Sequence, residues 1–145
     1  MERIVVGVDG SPGAAAALAW ALAEARTHGA ELSVVTAFAY TDVVGVPGAM
    51  WPVDSFESLE AEARALVAEM VSDAGAADDP HVETRVLFGN PAELLLDAAR
   101  SADLLVVGSR GRGGFTGLLL GSVSQKCVTH GPCPVVVVPT PAIEG

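Results

Sequence analysis

The chain has 145 residues, half of them hydrophobic and 18% charged, so a packed globule with a substantial core is expected rather than a disordered chain. Its formal net charge of −10, with a pI near 4.5, argues against a broad nucleic-acid or anionic-membrane surface, since both demand basic patches. No stretch approaches the roughly 20 apolar residues of a membrane span. The apolar run near the N-terminus is too short for a signal peptide and is interrupted by Asp9. One soluble, cytoplasmic domain over residues 1–145 is the expectation.

Arg3 to Val8 is mostly apolar, as a strand buried on both faces should be. It runs into Asp9-Gly10-Ser11-Pro12, where Ser11 can cap a helix and Pro12 can occupy its first position. That helix extends to about His28, with Gly29 as a C-terminal stop. Glu31 to Phe38 reads as a second strand. The segment from Ala39 to Val53 carries Gly45, Pro47, Gly48 and Pro52 and reads as a long loop. Met50, Trp51 and Phe56 are candidates either for a flap over a pocket or, the preferred reading, for anchoring that loop to the body.

Asp54-x-x-Glu57 has the spacing of a capping box, and Leu59, Ala63, Leu66 and Met70 recur at helical spacing behind it. Glu60, Glu62 and Glu69 form a solvated acidic face. Val82 to Phe88 is a third strand with alternating polar residues. Gly89-Asn90-Pro91-Ala92-Glu93 is a strong helix start, and that helix reaches about Arg100. A fourth strand covers Asp103 to Val107, a helix follows from about Ser122 to Thr129, and Val135 to Val138 makes a short fifth strand between prolines. Strands alternating with helices in this way imply an α/β fold with a single open parallel sheet of five strands flanked by helices.

Between the fourth strand and the last helix lies GSRGRGGFTGLLLGSVS, Gly108 to Ser124. Glycines let backbone N–H groups approach a bound anion, and a helix N-terminus adds unsatisfied donors and a favourable dipole. Strand, glycine stretch and helix start together make a candidate phosphate cradle, although such stretches also serve as plain turns. The stretch lacks the Gly-Lys-Ser/Thr ending of a P-loop and follows a late strand, unlike a dinucleotide fingerprint. Arg110 and Arg112 are candidates for neutralising phosphates, and Ser109 and Gly113 complete the set.

The spacing Gly108-x2-Gly111-x9-Gly121-Ser122, together with IVVGVDGSPGAAAAL, GNPAELLLDAA and CPVVVVP, resembles the ATP-binding branch of the universal stress protein family over essentially the whole chain. The resemblance implies a Rossmann-like sheet of the adenine nucleotide alpha hydrolase type, with strand order 3-2-1-4-5. It also implies a homodimer paired through the last strand, Val135 to Val138. Carried over by position, Asp9 meets the adenine–ribose end of the nucleotide, with Gly7 allowing close approach beside it. The Ala37 main chain contacts adenine. Gly108, Gly111, Gly121 and Ser122 hold ribose and phosphates, with the Val123 N–H and the Ser124 hydroxyl close by. An Asp before Gly-Ser also stabilises a turn, and both roles are compatible.

The function implied is a nucleotide-dependent stress-response dimer that binds ATP, with Mg²⁺ bridging its phosphates, and is read by an unidentified regulatory partner. No acidic cluster for phosphoryl transfer accompanies the stretch, so hydrolysis is expected to be slow at most, with no catalytic residue assigned. A weak ATPase and a cyclic-AMP sensor or buffer of the same fold remain as alternatives. His81 and His130 read as turn residues rather than mechanism. No metal ligand set is expected from the protein alone. Cys127 and Cys133, outside C-x-x-C spacing, are expected as reduced, partly buried thiols.

Overall fold

A computed structural model describes residues 1–39, 55–109 and 120–140. Five parallel strands form one sheet in the order β3-β2-β1-β4-β5: β1 Arg3–Gly7, β2 Glu31–Phe38, β3 Val82–Phe88, β4 Leu104–Gly108 and β5 Val135–Val138. The helices between them are α1 Pro12–His28, α2 Phe56–Asp73, α3 Pro91–Ala99 and α4 Ser122–His130. The fold class is as the alternation of elements implies, and the strand order is as the resemblance implies.

Each inner strand is apolar on both faces because helices cover both. Ile4 and Val6 of β1, Leu32 and Val34 of β2, and Leu104 and Val106 of β4 face one way. They meet Ala17, Leu18, Ala21 and Leu22 of α1 and Val67 and Val71 of α2. The residues between them, Val5, Val35, Leu105 and Val107, face the opposite layer, built by Leu95, Ala98 and Ala99 of α3 and Cys127 of α4. The alanines let α1 lie close over the sheet's centre. The polar alternation of β3 has a simple reason: it is an edge strand, with Glu83 and Thr84 exposed.

The helix starts follow their local chemistry. Ser11 Oγ accepts the Ala14 N–H at 3.1 Å, and Asn90 Oδ1 accepts the Glu93 N–H at 3.1 Å. Helix α1 ends at Gly29 in the left-handed region (φ 65°), where a Cβ is disfavoured. Helix α2 departs from expectation. Its cap is Ser55, whose hydroxyl accepts from the Ser58 N–H, one position later than the Asp54-x-x-Glu57 spacing predicts. Its buried stripe is Ala63, Val67 and Val71, while Leu59, Leu66 and Met70 are only half-buried. Three-residue and four-residue spacings share one helix side, and packing against β2 and β3 selects the smaller β-branched residues.

Candidate nucleotide site at the β1–β4 crevice

Strand order reverses between β1 and β4. The chain leaves β1 for α1 on one face and leaves β4 for α4 on the other, so a crevice opens beyond their carboxyl ends. Val6 pairs with Val106 in parallel register, so the segments that carry Asp9 and Ser109 leave the sheet at the same edge, from neighbouring strands.

The β1 side is held rigidly. The Val8 N–H donates to the Val35 carbonyl at 2.9 Å, and the buried Thr36 hydroxyl donates to the Val8 carbonyl at 2.9 Å. Gly10 turns the chain with φ 84°, and Asp9 Oδ1 accepts the Ser11 N–H at 3.0 Å. The Asp9 carboxylate thus closes an Asx turn at the mouth of the crevice. Ala37, the next residue of β2, lies half-buried beside this corner.

On the β4 side, Ser109 is a junction. Its N–H donates to the Val138 carbonyl at 2.8 Å. Its side-chain Oγ accepts the Thr140 N–H at 3.2 Å and lies 3.4 Å from the Thr140 hydroxyl. Its carbonyl receives the Gly121 N–H at 2.6 Å and the Ser124 hydroxyl at 2.9 Å. The start of α4 is thereby fixed at the carboxyl end of β4. Gly121 is the N-cap of α4 and supplies no side-chain cap, in contrast to Ser11, Ser55 and Asn90 at the other three described helices. The leading N–H groups of a helix have no intrahelical acceptors, so Ser122 and Val123 face the crevice end of α4 with donors to offer. Arg110, Gly111, Arg112 and Gly113, like Met50 and Trp51, lie outside the described residues.

Two of the assigned glycines also have a reason in the packing. A Cβ on Gly108 would fall 2.9 Å from the Gly13 carbonyl oxygen of α1, and one on Gly7 would fall 2.5 Å from Leu95 Cδ1 of α3. Glycine at these places lets the helices close on the sheet.

A family profile described as the universal stress protein family matches residues 1–139. The chain belongs to that family. A universal stress protein of Mycolicibacterium smegmatis is 41% identical over 93% of this chain, which spans 45% of that relative. The chain thus spans about half the length of the mycobacterial family members it matches. A family member from Thermus aquaticus has the same extent: 40% identity over 94% of this chain and 98% of its own. The crystal structure of a universal stress protein in complex with cAMP superposes with a TM-score of 0.72 at 30% identity, covering 97% of this chain and 98% of that one.

Beside this crevice lies a feature that family spacing did not flag. Phe38, Phe56 and Phe88 gather at the carboxyl ends of β2 and β3, with centroids 5.2, 5.5 and 5.4 Å apart. Phe56, the first residue of α2, packs on Phe38 and Phe88, while Met50 and Trp51 of the same reading lie outside the described residues. The signal was faint: two strand-ending phenylalanines and a third at a helix start.

The histidines stand apart. His81 Nδ1 lies 3.0 Å from Glu31 Oε1 at the amino ends of the strands, and His130 ends α4, exposed. Both cysteines are free thiols; burial pushes Cys127 up to about 11, away from reactive thiolate. Among the described residues no helix is long and apolar enough to cross a membrane.

Proposed function

We propose that this universal stress protein binds ATP in the β1–β4 crevice and acts through its ligand-bound state, with hydrolysis slow at most. The observation that carries the reading is the start of α4: a glycine cap fixed on Ser109 at a topological switch point, leaving the first-turn amides for an anion. In this reading Asp9, Gly7 and Ala37 surround the nucleoside, while Gly108, Ser109, Gly121, Ser122, Val123 and the Ser124 N–H surround ribose and phosphates. Arg110, Gly111, Arg112 and Gly113 belong to the same assignment by sequence alone. Among the described residues no group of three His, Cys, Asp or Glu side chains gathers to hold a metal. In this reading Mg²⁺, if bound, would be carried by the phosphates and would supply neutralisation of their charge.

Calorimetric titration of nucleotide-free protein with ATP, with and without Mg²⁺, tests the reading. Gly121→Ala, whose φ of −76° an alanine accepts, is expected to weaken ATP about tenfold by setting a methyl at the cradle, while the fold is kept. Unchanged affinity in that variant sinks the cradle. A second reading, a cyclic-AMP sensor or buffer, is favoured by one observation: the relative at 30% identity was crystallised with cAMP. Competition between the two nucleotides for one site, and their order of affinity, separates the readings.

The assembly we propose is a homodimer through Val135–Val138. Strand β5 is bonded to β4 on one side, and its valines are half-buried. A bare apolar edge invites pairing with another strand, and a second copy satisfies it. Sedimentation as a monomer at micromolar concentration would remove this part. A regulatory protein reading the ligand-bound surface completes the proposal, with no partner identified.

A further inference from the structure

The four helix starts use serine and asparagine in two opposite senses. At α1, α2 and α3 a cap oxygen accepts the third amide of the helix: Ala14, Ser58 and Glu93 respectively. At α4 the third residue is itself the serine, Ser124, and its hydroxyl donates backwards, to the Gly121 carbonyl at 3.0 Å and the Ser109 carbonyl at 2.9 Å. A hydroxyl carries one proton, so it is shared between these two acceptors and is not left over for a phosphate oxygen. Ser124 is only 2% exposed.

We infer that Ser124 is a positioning residue for the nucleotide site, fixing the start of α4 on Ser109 instead of contacting the phosphates through its hydroxyl. The inference rests on the nucleotide-binding reading above. Its physical content is simple. Ser109 follows β4 and Gly121 caps α4, and fixing two such separated positions against each other costs chain entropy. One amide, Gly121 N–H, and one hydroxyl, Ser124 Oγ, converge on the single Ser109 carbonyl and hold the two positions together. Glycine at the cap has no side chain with which to do this. The backward-donating serine therefore replaces the cap's orienting function without consuming the third amide, which stays available to an anion. No signal in the sequence near Ser124 announces this, because its partner lies 15 residues away.

The test uses the full chain, the variants Ser124→Ala and Ser124→Thr, and two probes, ATP and phosphate-free adenosine. Amide hydrogen exchange at Gly121 is followed without ligand. Ser124→Ala is expected to speed Gly121 exchange and to weaken ATP about tenfold, leaving adenosine within about twofold. Ser124→Thr keeps a hydroxyl able to bond the preceding turn and is expected to restore both readouts. Weakened ATP with unchanged Gly121 exchange would overturn the inference in favour of direct phosphate contact. Equal losses for adenosine and ATP, or no loss for either, would also overturn it. Should the wild type bind neither ATP nor cAMP, the nucleotide reading fails by itself. Gly121 exchange then decides alone: faster exchange in Ser124→Ala retains the fixing role, and unchanged exchange removes it.

Discussion

At the carboxyl edge of the sheet two junctions are held by opposite means. Ser109, after β4, and the start of α4 meet at a polar base, in which one carbonyl, that of Ser109, collects an amide and a buried hydroxyl. The ends of β2 and β3 and the start of α2 meet at an aromatic base, in which, among the described residues, three rings gather. Hydrogen bonds fix direction and contribute a net of only about 1 kcal/mol each. Rings contribute area and edge-to-face attraction but tolerate displacement. The polar base is thus suited to aiming helix amides, and the aromatic base to holding mass in place. The difference predicts that stability and ligand geometry should respond to different substitutions.

The largest expected effect is at the hinge of the polar base. Gly108→Ala sets a methyl 2.9 Å from the Gly13 carbonyl oxygen and 3.0 Å from its carbon, both backbone atoms of α1 that cannot rotate aside. A destabilisation of about 3 kcal/mol is expected, the upper end for overpacking, measured as a fall in the urea midpoint. A neutral result would mean that α1 does not press on β4 as described. Next comes Phe56→Ala. A buried ring loses about 3–5 kcal/mol on truncation. Phe56 is 38% exposed, so about 2 kcal/mol is expected, with Phe56→Leu recovering part of it. The smallest of the three is Ser124→Ala, at about 1 kcal/mol in stability, though it removes the hydroxyl aimed at Ser109. If thermal melts placed Ser124→Ala at or below Phe56→Ala, the division between aiming and holding would collapse.

How far these bases could be read from sequence follows from where their causes lie. Strands β2, β3 and β5 and the starts of α1 and α3 were legible because their causes are local: β-branched runs, Ser11-Pro12 and Asn90-Pro91 with Glu93. Helix α2 was read on the correct side but centred off its deepest line: Ala63 is buried and Met70 packs on the core, while Val67 and Val71, not named from the spacing, lie deepest against the sheet. The glycine spacing pointed to the crevice, but not to the fact that Gly7 and Gly108 also make room for Leu95 and Gly13. The resemblance carried the Ser124 hydroxyl over by position as lying close to the phosphates. The carbonyls that accept from it here, of Ser109 and Gly121, meet it only once β4 and α4 are docked, so no local pattern announces them. Phe38, Phe56 and Phe88 come from three elements, and no periodicity joins them.

A final expectation uses pH, because neither base contains a titratable side chain. The opposite edge of the sheet does. The hydrogen bond from His81 to Glu31, helped by that carboxylate's charge, raises the histidine above its ordinary 6.5, while partial desolvation opposes the shift. A pKa raised on folding gives a contribution fully present below the unfolded value of 6.5 and lost as pH rises through the raised value. The stability difference between the wild type and His81→Gln should therefore be greatest below pH 6.5 and shrink as pH rises from there through the raised value. It should be small throughout and smaller still in salt, since the two side chains are 65% and 56% exposed. Over the same range the differences for Ser124→Ala and Phe56→Ala should stay flat. A slope in the Ser124→Ala difference that parallels the His81→Gln slope would mean that the amino and carboxyl edges are coupled through the strands. The polar base would then be responding to the whole sheet and not to Ser109 alone.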